Sequence, residues 1–122
     1  MIRLTQKVDI VGLFSSGLCA LHCMALPIMI SYGFFEGLQS SSIHHFMELL
    51  IVFASVIMVA TSAYQGWKIH RVWIPYTLFA FGLIILFIGL SSTNHWLMAL
   101  GGFCVGIGHL VNYKLIYRYS LQ

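Results

Sequence analysis

The sequence predicts an all-α integral membrane protein: a four-helix bundle with both termini on the cytoplasmic side. Three observations predict it. Of the 122 residues, 60% are hydrophobic and 7% are charged, with a mean hydropathy of +0.92, whereas a soluble domain carries about 25% charged residues. Four apolar stretches each approach the roughly 20 helical residues that cross a hydrocarbon core. All six Lys and Arg residues sit at the ends of these stretches, on alternate connections. With so few charges the chain cannot cover a water-facing surface, so a soluble domain is excluded. The stretches are long and lack a polar residue at every second position, which argues against a barrel.

The elements follow in order. The first stretch covers 8–32, behind Arg3 and Lys7. A positive start resembles a secretion signal, but the apolar run is too long for a signal core, and no small-x-small cleavage site stands out. It is therefore read as a retained helix. The second covers 44–65, after a connection marked by Gly33, Gly37 and the Ser40–Ser42 cluster. The third covers 73–90, behind a short basic loop with Lys68 and Arg71. The fourth covers 95–117, after the tight polar turn 91–94, and ends on Lys114 and Arg118. The basic residues alternate from side to side, which orients both termini inward. Trp67, Trp73, Trp96, Tyr113, Tyr117 and Tyr119 fall at stretch ends and fit interfacial belts. No linker divides the chain, so 1–122 reads as a single transmembrane domain. The positive charges form no patch, and nucleic acid is excluded as a partner. Three cysteines give no disulfide framework.

The chemistry concentrates in Cys19-Ala20-Leu21-His22-Cys23, with Pro27 beyond. Cys19 and Cys23 are i and i+4, so on a helix both sulfurs point the same way, one turn apart. Asp9, Gly12, Ser16, Cys19 and Cys23 recur at steps of three and four and form a narrow small-and-polar stripe. In a membrane helix such a stripe faces neighbouring helices or a cavity rather than lipid. A buried cysteine can be a small hydrophobe, but a pair at this spacing, with His22 between, favours ligation. Thiolates select soft or borderline ions such as Cu(I), Zn(II) and heavier thiophilic metals, and binding displaces the thiol protons.

Four further histidines and one acid are candidates. His44, His45 and Glu48 open the second helix, and either His with Glu48 has the spacing to hold an ion at an entrance; interfacial hydrogen bonding explains them equally well. His95 is on the same side. His109 and Asn112 lie close in sequence at membrane depth, where polar and ionisable residues are functional candidates or bridge helices. His70, in the basic loop, reads as solvated. Cys104 is read as lying outside the thiol site. The Gly102 and Gly106 pair permits close helix approach. The small size and this glycine face also suit a homodimer whose interface forms the path.

The chain resembles the MerC family, small four-helix inner-membrane proteins associated with mercury resistance. The resemblance rests on Asp9, Gly12 and Ser16 leading into Leu18-Cys19-Ala20-Leu21-His22-Cys23, then Leu26-Pro27. It continues through His45, Glu48, Gly66-x-x-x-His70 and Gly108-His109-Leu110-x-Asn112, and it covers nearly the whole chain. It implies a multi-pass protein of the bacterial inner (plasma) membrane, without enzymatic activity or organic cofactor. It also implies uptake of Hg(II), with the helix-one thiols passing the ion to a cytoplasmic thiol acceptor. The mercury-resistance members carry these cysteines as C-x-x-C and have others near the C-terminus. Here the spacing is C-x-x-x-C, and no cysteine follows Cys104. The added histidines point toward zinc or copper as alternatives. A membrane thiol–disulfide oxidoreductase, a haem-binding bundle and a structural membrane subunit remain as competing functions.

Overall fold

The computed structural model describes residues 2–31 and 42–121. The connection over 32–41 and the side chains of Arg3, Pro27 and His44 lie outside the described residues. The described chain is helical throughout apart from short turns. Its elements are α1 (Ile2–Ser31), α2 (Ser42–Ile69), α3 (Ile74–Ser91) and α4 (His95–Ser120). All four are long and apolar enough to cross a membrane. α1 begins six residues before the apolar run does, because nothing in Ile2–Lys7 stops a helix and Arg3 and Lys7 are good helix formers. α2 likewise continues to Ile69, past the last apolar turn.

The connections explain the sharp reversals. Between α2 and α3, Arg71 takes a left-handed conformation (φ 51°) and Pro75 sits in the first turn of α3, where its missing N–H costs nothing. Between α3 and α4, Thr93 is left-handed (φ 50°). Asn94 then caps α4, its side-chain oxygen accepting from the Trp96 and Leu97 amides at 3.1 and 3.3 Å.

α4 is the central element. It packs along α1 on one side and α3 on the other, while α2 makes sparser contacts with all three. The outward surface is apolar: Phe14, Leu18, Phe53, Phe81 and Phe103 are each 59–68% exposed. Such a surface suits lipid and not water. The interior is small or polar, with Asp9, Ser16, Glu48, Ser55, Ser62, His70, His109 and Asn112 buried beside an apolar core that includes both Cys19 and Cys23. The glycines of α4 are used within the bundle. Gly101 meets the Leu86 backbone and Gly82 carbonyl of α3, Gly108 meets Phe79, and Gly102 and Gly106 abut Ser16 and Ala20 of α1. The Gly102 and Gly106 face therefore serves the α1–α4 contact.

For orientation within the molecule, the terminal half holds both chain ends and the 70–73 loop. The distal half holds the 91–94 turn and the start of α2.

Candidate functional site

Two polar groupings occupy the interior, one in each half. In the distal half Cys19 and Cys23 are 5% and 3% exposed, and both are free thiols. One turn of helix separates them, and their side chains lie close enough to interact. The Glu48 carboxylate of α2 lies within electrostatic range of both. Glu48 is in turn approached by the His95 Nδ1 of α4 at 3.3 Å and by the His45 Nδ1 at 3.6 Å, the His95 side chain being largely covered and that of His45 open. His22 projects from the bundle surface and lines a shallow groove with Ser15, Leu18, Cys19 and Ile51. Among the described residues, no three His, Cys, Asp or Glu side chains converge in a way that could hold an ion. Cys104 is half-buried.

In the terminal half a denser network surrounds Asp9, which is fully buried. The Ser62 hydroxyl of α2 donates to Asp9 Oδ1. From α4, Asn112 Nδ2 donates to Asp9 Oδ2 at 2.9 Å and lies 3.0 Å from Ser62 Oγ, and His109 Nδ1 is 3.2 Å from Asp9 Oδ1. His70 completes the group. Its Nδ1 accepts from the Val72 amide at 3.1 Å, so Nε2 carries the proton and donates to Asn112 Oδ1 at 2.7 Å. That bond turns the Asn112 amide nitrogen toward the carboxylate. Every polar group in the chain from Val72 to Asp9 is thus given a defined donor or acceptor role.

The sequence builds this network through two glycines. A methyl on Gly12 would lie 2.5–2.7 Å from His109 ring atoms, so the imidazole rests directly on the α1 backbone, with the Phe79 ring edge-to-face at 4.8 Å on its other flank. A methyl on Gly66 would collide with Asn112 Oδ1 and press on His70 Nε2. Gly66 and His70 are one turn apart on the same face of α2, so the glycine opens the space that the histidine and the amide fill.

The candidate residues therefore divide. Cys19, Cys23, His22, His45, Glu48 and His95 belong to the distal grouping. Asp9, His109 and Asn112 belong to the terminal one, about 15 Å along α1 from the thiols. Ser16 lies between the groupings and donates to the Gly12 and Leu13 carbonyls at 2.7 and 3.1 Å. His109 is committed to Asp9 and stands apart from the sulfurs. His70 departs from the solvated reading: it is 5% exposed, bonded to Asn112 and stacked on Tyr76 at 6.1 Å. Ser62 was not among the candidates at all, because a lone serine in an apolar helix carries no signal by itself. The Gly66-x-x-x-His70 spacing was the available clue to His70.

Four apolar helices long enough to cross a membrane, three of them burying polar side chains on their inward faces, define a multi-pass membrane protein. The family model described as MerC mercury resistance protein matches residues 9–114. The chain belongs to the MerC family, a family of membrane proteins of mercury-resistance-related transport and not a known enzyme family. Comparisons with curated proteins and with solved structures gave no match.

Proposed function

We propose that this protein carries a soft metal ion across the bacterial inner membrane by thiolate exchange at Cys19 and Cys23, with both termini in the cytoplasm. The observation that carries the reading is the pair of buried free thiols one turn apart on the inward stripe of α1. Structural zinc takes four ligands and catalytic zinc three plus water. A site of two sulfurs suits an ion content with two thiolates, which favours Hg(II) or Cu(I) over Zn(II). Family membership favours Hg(II) among these.

The chemistry follows from the ligands. A thiol-bound ion arriving from the periplasm exchanges onto one sulfur, and the neighbouring sulfur displaces the original carrier thiol. Each step forms one metal–sulfur bond and breaks another, and the proton lost by the incoming thiol goes to the leaving one. The reverse exchange hands the ion to a cytoplasmic thiol acceptor. Bis-thiolate binding of a dication leaves no net charge, which lowers the cost of passage through an apolar interior. Glu48 with His45 and His95 sits at the distal mouth as a polar vestibule that attracts cations toward the thiols.

The test is ion binding by purified, reduced protein, comparing Hg(II), Cu(I) and Zn(II). One ion bound per chain, lost in a Cys19→Ser/Cys23→Ser variant, is the expected result. Absence of binding by the wild type overturns the reading. Topology reporters fused to each terminus check the orientation.

A further inference from the structure

The terminal network contributes nothing to thiolate exchange, yet it places two ionisable side chains inside a membrane span. Asp9 is 0% and His109 1% exposed. Among the described residues no lysine or arginine pairs with Asp9, and its basic partner is His109, whose charge depends on protonation. Ionisable groups buried inside a membrane-spanning bundle are costly and mark ion or proton pathways more often than packing. A merely structural bridge between α1, α2 and α4 would be served by neutral amides and hydroxyls, of which Ser62 and Asn112 already supply two.

The groups around the pair are those of a protonation site. From α2 come the Ser62 hydroxyl and, one residue past the helix, neutral His70. From α4 come His109 and Asn112. From α3 come Phe79 against the imidazole and Tyr76, which lies within electrostatic range of Asp9 and whose hydroxyl has no hydrogen-bond partner among the described residues. Lys7, Lys68 and Lys114 are exposed. With Asp9 ionised and His109 neutral, the pair carries one negative charge. A single proton shared between them brings it to zero, the favoured condition in a low-dielectric interior. His70, bonded to Asn112 and next to the exposed 71–73 loop, links the pair to the terminal surface.

We propose that Asp9 and His109 form a proton-binding site, exchanging one proton with water on the terminal side, and that its occupancy is coupled to cargo movement through α1. The coupling element is α1 itself. It carries the thiols on the same inward stripe as Asp9, and Asp9 is its hydrogen-bonded tie to both α2 and α4. Adding or removing the proton changes the charge at that tie and hence how firmly the terminal half of α1 is held. The coupling part rests on the carrier reading above; the proton site does not.

The experiment uses the full chain in liposomes. Infrared difference spectra between neutral and mildly acidic buffer are expected to show an Asp9-dependent band, either a carboxylic-acid C=O stretch with the proton on Asp9 or a shift of the carboxylate stretch with the proton on His109, that is absent in Asp9→Asn. In His109→Asn that band changes its position or the pH at which it appears. Folded Asp9→Asn with an unchanged difference spectrum, or a wild type with no Asp9-dependent band, overturns the proton site. Hg(II) uptake under an imposed pH gradient then tests coupling. Wild-type uptake is expected to change several-fold with the gradient, and Asp9→Asn, still binding Hg(II) at the thiols, to lose that response. A variant that responds like the wild type overturns the coupling. Failure of the wild type to bind Hg(II) removes the carrier reading, and the infrared result still decides the proton site.

Discussion

The two halves of the bundle bury polarity in opposite ways. The distal thiols are small, weakly polar and packed among Val52, Ala99 and Met98 as hydrophobes would be. They need few partners, and they keep a lone pair for a soft ion. The terminal carboxylate has the opposite requirement. It is surrounded by polar partners from two other helices, and of these Asn112 is held by a further bond from His70 and lies against the Ser62 hydroxyl, while His109 is held by packing on Phe79 and Gly12. On the proposed reading, the groups that exchange an ion are thus given few polar partners, while a carboxylate in an apolar medium is given several. The same helix, α1, carries both arrangements about 15 Å apart.

The largest effect expected to break this comparison is on the distal side. Removing both sulfurs in Cys19→Ser/Cys23→Ser should abolish soft-metal binding. The loss should be several kcal/mol, since apparent free energies at thiolate-rich metal sites run to about 10–16 kcal/mol. Stability should fall by about 1–3 kcal/mol, because two hydroxyls replace weakly polar sulfurs in an apolar core and have only the helix carbonyls one turn back to bond. Binding isotherms and unfolding in mixed micelles measure the two separately. Large loss of stability with binding retained would place the thiols in the packing class and not the ligand class.

Next is the space on which the terminal network rests. Gly66→Ala drives a methyl into Asn112 Oδ1, and Gly12→Ala drives one into the His109 ring. Overpacking of this kind costs about 1–3 kcal/mol. Both variants should lower stability by that amount while leaving metal binding at Cys19 and Cys23 intact. A loss of metal affinity in either would mean that the thiols need the terminal network to bind the ion at all, and not only to move it.

How much of this was legible in the sequence follows from how local each feature is. The four helices were legible because apolar length is a local property. The α1 stripe was legible because residues three and four apart share a face. Its first and last turns were less so: helix ends depend on charged residues that neither favour nor forbid continuation, as at Arg3 and Lys7. The thiol pair is a single-helix feature and could be read directly. The terminal network could not, since Asp9 meets partners 53, 100 and 103 residues away. Asp9, His109 and Asn112 were each visible as polar residues in apolar helices, but nothing in the sequence says that they converge. His70 misled for a related reason. It follows Lys68 and precedes Arg71, so its neighbours in sequence are solvated, while the left-handed turn at Arg71 leaves the ring folded inward.

The convergence can be measured directly. A double-mutant cycle on Asp9→Asn and Asn112→Ala should give a coupling energy of about 0.5–2 kcal/mol, the range found for polar contacts between membrane helices. The same cycle on Asp9 and Glu48 should give a value near zero, because these acids sit in different halves. Coupling between Asp9 and Glu48 comparable to that between Asp9 and Asn112 would merge the two groupings into one electrostatic unit.

The smallest effect sharpens the comparison within α1 alone. Gly12 and Gly17 are both helical glycines, five residues apart and so on different faces. A methyl at Gly12 meets an imidazole, while one at Gly17 meets nothing within 4 Å. Gly17 opens onto an apolar groove shared with Gly102, Phe103 and Gly106, so Gly17→Ala adds a methyl where there is room for it. Replacing a helical glycine removes chain entropy from the unfolded state, a gain of about 0.4–1 kcal/mol where no clash opposes it. Gly17→Ala should therefore be neutral to slightly stabilising, and Gly12→Ala clearly destabilising, in the same unfolding assay. Equal effects at the two positions would mean that the His109 ring does not rest on the α1 backbone, and the arrangement of the terminal network would fall with that contact.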